Sequence, residues 1–225
     1  MNLLSLQNKR ILLTHADAFM GPVLCDVLGG LGAQVLPSYE RLVDDAEVKQ
    51  VVDSAGDVDI VIANLAIGAP STHAADVTDD EWMEVFDALV HPLPRLIRAV
   101  VPQMITRKRG KILVMGSASA LRGMKRASTY SAARGAQLAY VKAVGVELAP
   151  HNIQVNAIAQ NFVDNPTYFP SDVQANPKFQ DRLKREVPLG RLVSAQEDAA
   201  FVAYLCSDAA DCFVGQVFPF CGGWA

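Results

Sequence analysis

Short apolar segments alternate with amphipathic segments along almost the whole chain, and this alternation most constrains the fold. Apolar runs occur at residues 10–14, 33–36, 59–64, 111–115, 153–158 and 216–220. Helical patterns lie between them, at residues 20–31, 46–54, 92–107, 128–148 and 196–207, and a further helix begins at Asp79. Parallel strands need such crossover helices. We therefore predict one Rossmann-like α/β domain over residues 1–225, a doubly wound parallel sheet with helices on both faces.

Composition and charge exclude several classes of partner. Apolar residues make up 51% of the chain and the net charge is −4, so we expect a large core and no nucleic-acid or anionic-membrane partner. The four cysteines form no CxxC pair and have no metal-ligand spacing with the histidines, which predicts reduced thiols and no metal. With no recognisable signal peptide and no apolar run near the ~18 residues of a membrane span, the expected location is the cytoplasm.

Ser117, Tyr130 and Arg134 are the most specific group of candidate catalytic residues. Tyr130 and Arg134 are four residues apart, on one face of the predicted helix over residues 128–148. A guanidinium beside a phenol lowers the tyrosine pKa, as a general base near neutral pH requires. Ser117 follows a predicted strand, at the sheet edge where α/β proteins place their sites. Tyr-x-x-x-Arg alone is common, but this serine upstream of it indicates a catalytic site.

The order of elements, with Ser117 followed by Tyr130-x-x-x-Arg134, resembles the short-chain dehydrogenase/reductase superfamily over essentially the whole chain. That superfamily normally has lysine four residues after the tyrosine. Arginine there resembles the halohydrin dehalogenases, and residues 12–21 and 187–192 resemble one branch of that family. The resemblance implies conversion of vicinal halohydrins to epoxides plus halide without a cofactor. It also implies the reverse opening of epoxides by small anions such as azide, cyanide and nitrite.

The turn after the first strand departs from the dinucleotide-binding pattern. Short-chain dehydrogenases usually have Thr-Gly-x-x-x-Gly-x-Gly there, whereas residues 14–21 of this chain are THADAFMG. His15 and Phe19 thus replace the first two glycines, which normally let the backbone approach the pyrophosphate. A phenylalanine ring would fill space that the diphosphate needs, and Asp17 adds a negative charge. We therefore expect no nicotinamide cofactor.

A candidate anion-binding loop follows the fifth predicted strand, where reductases of the superfamily commonly have Pro-Gly. It consists of Gln160, Asn161, Phe162 and Val163. By resemblance, this loop forms a halide nest in the dehalogenases, and consecutive backbone amides in a tight turn do bind anions. We expect the amides of Phe162 and Val163 to donate to the halide. Phe19, Phe162 and Tyr168 or Phe169 would form the apolar wall, although simple packing is nearly as well supported for each of the last two.

The remaining residues leave some alternatives open. A nicotinamide-dependent oxidoreductase with a degenerate turn and a non-catalytic ligand sensor are the rival functions, and NADH titration would separate the first from a dehalogenase. Residues 160–188 form a polar, proline-rich excursion with no predicted helix or strand.

His91 and Trp224 are predicted to have structural roles. By resemblance we expect a homotetramer, or a dimer, whose long helices pair through a face of small residues: Ala132, Ala133, Ala136, Ala139 and Ala143.

Overall fold

A computed structural model describes residues 2–225, in which strands and helices alternate. The strands are β1 (Arg10–Leu13), β2 (Gln34–Pro37), β3 (Ile60–Ala63), β4 (Gly110–Ser117), β5 (Ile153–Gln160) and β6 (Val217–Phe220). The helices are α1 (Gly21–Gly30), α2 (Asp45–Ala55), α3 (Asp79–Leu89), α4 (Pro92–Arg107), α5 (Ser128–Leu148), α6 (Ser171–Ala175), α7 (Pro177–Glu186) and α8 (Ala195–Cys206). The predicted alternation is confirmed.

All six strands are parallel and form one sheet in the order β2-β1-β3-β4-β5-β6. The strand order reverses between β1 and β3, and ligands of open α/β sheets bind beyond the carboxyl ends of the strands at such a point. β3 and β4 are buried along their whole length, because α2, α4 and α5 cover one face and α1 and α8 the other. The predicted Rossmann-like fold is confirmed.

β4 and β5 extend two residues beyond the predicted segments at their carboxyl ends. Ser117 therefore ends a strand rather than lying in the loop after it. The register pairs Ser117 with Gln160 and Gln160 with Phe220, so the candidate serine and the start of the candidate anion loop are adjacent at the sheet edge. Gly116 lets α5 pack closely against the end of β4, since a Cβ at this position would lie 2.8 Å from the Leu138 side chain of α5.

The excursion over residues 160–188 contains two helices, α6 and α7, which the sequence interpretation missed. Asn176 caps the start of α7, because its side chain accepts from the Lys178 N–H, and Pro177 occupies the first helical position. Its apolar residues Phe179 and Leu183 are one turn apart and buried in the core. α7 thereby closes over the carboxyl edge of the sheet.

The predicted face of small residues on α5 is largely available for contact with a partner. Ala132, Ala139 and Ala143 are exposed, whereas Ala133 is fully buried in the core and does not belong to that face. Within residues 2–225, no helix has the length and apolar character needed to cross a membrane. The same residues contain no cluster of three metal-ligating side chains.

Candidate active site

One cavity at the carboxyl ends of the strands brings all the predicted site residues together. Its volume is about 220 Å³, which suits a small molecule. The predicted residues that line it come from four separate segments: Phe19, Ser117, Tyr130, Arg134, Gln160, Asn161, Phe162, Val163, Tyr168 and Phe169. In the described chain, the lining includes two arginines and no acidic side chain. The cavity therefore favours a small neutral or anionic ligand.

Ser117 lies at the end of β4 with its hydroxyl in a local hydrogen-bond network. Its Oγ donates to Ser119 Oγ at 3.0 Å and accepts from the Ser119 N–H at 3.2 Å. The side chain is also close enough to Tyr130 to favour the ionised phenol. Because the Oγ–H can rotate away from Ser119, it can donate to an oxygen held between Ser117 and Tyr130.

Tyr130, in the first turn of α5, is 6% exposed and has an activated phenol. Burial alone raises its pKa. The charge of Arg134, together with the neighbouring polar side chains of Tyr168 and Ser117, outweighs burial, so the pKa of Tyr130 is below its ordinary value. The Tyr168 hydroxyl donates to Ile67 O at 2.7 Å and lies 3.4 Å from the Tyr130 hydroxyl. Burial, followed by the proximity of Tyr130, raises the pKa of Tyr168, which therefore stays neutral beside a Tyr130 phenolate.

Arg134 is buried beneath the Tyr130 ring and fixed by three acceptors. Its Nη1 donates to Leu65 O at 2.9 Å, to Met115 O at 3.0 Å and to Gln137 Oε1 at 2.9 Å. Its Cζ lies 5.0 Å from the centroid of the Tyr130 ring. The guanidinium thus joins the ends of β3 and β4 to α5 while its charge acts on the phenol. This geometry suits a supporting role for Arg134 in proton transfer.

The turn between β1 and α1 has the backbone conformation of a glycine-rich turn, although non-glycine residues occupy it. His15 and Phe19 have φ values of +44° and +52°, in the left-handed region that glycine favours. The Phe19 ring projects into the cavity and lies 5.3 Å from the Tyr168 ring. Gly21 is required, because a Cβ there would lie 2.5 Å from Ala16 O. The residues at this turn therefore do not fit a dinucleotide, since Phe19 occupies the approach that a pyrophosphate needs.

Of the two amides of the candidate anion loop that were predicted to bind the anion, one is free and one is already engaged. The Phe162 N–H donates to Asn161 Oδ1 at 2.9 Å, and Phe162 has a left-handed φ of +52°. The Asn161 N–H donates to Phe220 O at 3.2 Å. Among residues 2–225, the Val163 N–H has no protein acceptor. We predicted the amides of both Phe162 and Val163 as donors, but an anion would have to displace the side-chain Oδ1 of Asn161 to reach the Phe162 amide.

Arg182, on α7, is the main cavity residue that sequence reasoning missed. Its Cζ lies 5.4 Å from the centroid of the Phe162 ring, and its Nε donates to Glu186 at 3.0 Å. It lines the same cavity as Arg134 and places a second positive charge beside the anion loop. No local signal identifies it, because its position depends on how α7 folds back over the sheet. Met124 and Asn165, which lie in loops, also line the cavity and were not predicted.

His91 and Trp224 lie outside the cavity lining. His91 Nδ1 lies 2.7 Å from Asp87 Oδ1, on a half-exposed part of the surface. Trp224 packs behind the anion loop, 6.0 Å from the Phe162 ring, with the Arg122 guanidinium 4.8 Å from its own ring. Both arrangements agree with the structural roles expected for these two residues.

Comparison with known proteins gives relatives of two kinds. Residues 42–225 match the enoyl-(acyl carrier protein) reductase family model. A provisionally assigned ketoacyl reductase of the monensin polyketide synthase from Streptomyces virginiae is 32% identical over 203 residues, 84% of this chain and 76% of that protein. A solved dehalogenation enzyme superposes with a TM-score of 0.90 at 29% identity, over 98% of this chain and 99% of that one. A halohydrin dehalogenase bound to ethyl (2S)-oxiran-2-ylacetate gives a TM-score of 0.85 at 27% identity, over 95% and 96% of the two chains.

Proposed function

The chain belongs to the short-chain dehydrogenase/reductase superfamily, and from that premise we propose that it is a cofactor-independent halohydrin dehalogenase. One observation carries the proposal: an activated Tyr130–Arg134 pair shares a cavity with Phe19, which occupies the dinucleotide approach. The site keeps a pair of residues for proton transfer but has no room for a nicotinamide cofactor, which would carry hydride. Such a site suits a reaction with no redox step. The likeness to two solved dehalogenases supports the same reaction class.

The proposed reaction is an intramolecular displacement. Tyr130, as the phenolate, takes the proton of the substrate hydroxyl while the Ser117 Oγ–H holds its oxygen. The resulting alkoxide forms a bond to the adjacent carbon, and the carbon–halogen bond breaks with its electron pair leaving on the halide. The proton passes from Tyr130 to solvent, so the products are an epoxide, a proton and a halide ion. Orientation and stabilisation of the leaving anion supply the catalysis.

The halide is proposed to leave into the loop of residues 160–163. The Val163 N–H is free to donate, and the rings of Phe19, Phe162 and Tyr168 form an apolar wall against which a weakly hydrated anion can rest. Two arginines and no acidic side chain line the cavity within residues 2–225, which favours anion release into it. In reverse, the same position would hold azide, cyanide or nitrite for attack on an epoxide.

The proposal predicts halide release in the absence of any nicotinamide. Purified protein is given 1,3-dibromo-2-propanol, and bromide and epoxide are measured together. We expect one bromide for each epoxide formed, because one carbon–bromine bond breaks for each epoxide ring that closes. No bromide from several halohydrins, together with saturable binding of NADH or NADPH, would contradict the proposal.

A second candidate function is nicotinamide-dependent reduction of a carbonyl. The observation that favours it is the 32% identity to the ketoacyl reductase from Streptomyces virginiae. Phe19 and Arg134 argue against it, since the first blocks the diphosphate approach and the Nη1 of the second is engaged with Leu65, Met115 and Gln137. The nucleotide titration above therefore discriminates between the two candidates. For either function we propose a homotetramer, assembled through the exposed alanine face of α5.

Arg182 is predicted to assist capture of the anionic nucleophile in the reverse reaction. We expect Arg182→Gln to lower kcat/KM for azide about 3- to 10-fold at low ionic strength, because a positive charge near a site raises the local anion concentration. The loss should shrink in high sodium sulfate, which screens the charge. Initial rates of epoxide opening over an azide series measure the effect.

Arg185→Gln is the matched control for Arg182→Gln. Arg185 lies on the same helix and also donates to Glu186 at 3.0 Å, but it is outside the cavity lining. We expect its substitution to leave the azide dependence within about 2-fold, since the charge is exposed and screened. Equal losses in the two variants would show that general surface charge, rather than the position of Arg182, attracts the anion.

A further inference from the structure

Asp198 is a buried acid that the proposed mechanism does not use. It lies in the first turn of α8 and is 0% exposed. Its Oδ1 accepts from Gln160 Nε2 at 2.7 Å, and its Oδ2 is buried with no hydrogen-bond partner among residues 2–225. A buried carboxylate without a cation is strongly disfavoured. Burial accordingly raises the pKa of Asp198 to about 7.

Gln160 connects this acid to the cavity. It is the last residue of β5, it lines the cavity, and it is followed directly by Asn161, Phe162 and Val163. Its backbone is fixed between Ser117 of β4 and Phe220 of β6, whereas its side chain reaches Asp198. Any change in charge or hydrogen bonding at Asp198 therefore acts on the first residue of the anion loop.

Within residues 2–225, no cationic side chain is paired with Asp198. The other titratable or charged groups of α8 and of the elements packed against it are Cys25, Asp26, Lys111, Glu197, Tyr204, Cys206 and Asp208. None of these side chains is hydrogen-bonded to Asp198 in the described chain. Lys111 is bound to Asp211 at 2.6 Å, and Glu197 faces solvent with Arg191.

We propose that Asp198 is a positioning residue that holds Gln160 at the start of the anion loop, and that loss of its proton weakens anion binding there. The proposal rests on the proposed function for the identity of that loop. The physical reason is electrostatic repulsion. The Asp198 carboxylate is separated from the loop by the Gln160 side chain, and its negative charge repels the halide through the protein interior. Coulomb's law at an effective dielectric constant near 20 and a separation of roughly 8–10 Å corresponds to an effect on the order of 10-fold in affinity.

The test measures bromide binding by calorimetry at pH 6.0 and pH 8.5. Tyr130→Phe protein is used throughout, so that titration of Tyr130 does not contribute. We expect binding about 10-fold weaker at the higher pH. Asp198→Asn keeps an oxygen that accepts from Gln160 but carries no charge, so it should bind bromide equally at both pH values. Asp198→Ala also loses the acceptor and should bind more weakly than Asp198→Asn at both.

Glu197→Gln is the matched control, because it neutralises an exposed acid on the same helix turn and should leave the pH dependence unchanged. If Asp198→Asn keeps the full pH dependence, the role of Asp198 is disproved while the anion loop stands. If bromide binds to no variant at either pH, the anion loop itself is wrong, and the proposed function and this inference fail together.

Thermal unfolding gives a second readout that does not depend on activity. The folded pKa of about 7 lies above the ordinary 3.8, so the folded state binds more protons than the unfolded state between these values. The contribution of Asp198 to the stability of the native chain therefore falls as pH rises from about 4 to about 7 and stays lower above that range. We expect Asp198→Asn to raise Tm at pH 8 and to change it little near pH 4. An equal change in Tm at both pH values would contradict the assignment of Asp198 as neutral near pH 4 and charged at pH 8.

Discussion

Tyr130→Phe is expected to lower the rate of epoxide and bromide formation by about 10²- to 10⁴-fold, the usual contribution of a positioned general base. The substitution removes only the hydroxyl, whose protein neighbour, the Tyr168 hydroxyl, is 3.4 Å away, so folding should be nearly unaffected. The ring, which Arg134 contacts, remains in place. Single-turnover release of bromide from 1,3-dibromo-2-propanol measures the loss, and circular dichroism checks the fold.

Tyr168→Phe is the matched control, because it removes the neighbouring hydroxyl from the same wall of the cavity. Tyr168 donates its proton to Ile67 O and has a raised pKa, so it is poorly suited to act as a base. We expect a loss of no more than about 10-fold, which is small against the range for a general base. If Tyr130→Phe retains activity within a few-fold of the native protein, Tyr130 is not the base and the displacement must be initiated elsewhere.

The sheet is largely predictable from sequence because its signals are local. The buried runs in β3 and β4 are continuous in apolar character, and α3 begins at Asp79 as predicted. The carboxyl ends of β4 and β5 are less predictable. Their last residues are held by pairing with each other, and the approach of Leu138 to Gly116 depends on how α5 packs.

α7 was missed although Asn176 and Pro177 form a recognisable helix start, because its polar residues hide a narrow buried face of Phe179 and Leu183. The candidate catalytic residues were predictable because Tyr130 and Arg134 share one helix, where spacing fixes their geometry. Arg182 and Asp198 could not be predicted, since each contacts the anion loop from an element distant in sequence. Asp198 lies 38 residues from Gln160, and no pattern in the chain connects them.

Arg134→Gln is expected to lower kcat by about 10²- to 10³-fold, comparable with removal of one preorganised electrostatic group from an active site. It should also change the pH profile in a defined direction. The reaction needs the Tyr130 phenolate, so the rate rises with pH until that group is ionised. Arg134 holds the pKa of Tyr130 below its ordinary value against the opposing effect of burial, so loss of the charge moves the rising limb to higher pH.

Arg134→Lys separates the charge from the shape of the side chain. Lysine keeps a cation near the phenol but cannot reproduce the fixed guanidinium contacts with Leu65 O, Met115 O and Gln137. We therefore expect kcat to fall by about 10-fold, while the rising limb of the pH–rate profile stays near its native position. Unpaired carbonyls cost roughly 1–3 kcal/mol each, so Tm is measured for both variants. A glutamine variant that is folded and slow but has an unshifted limb would mean that Arg134 only orders the strand ends, and that the phenol is activated by Ser117 and Tyr168.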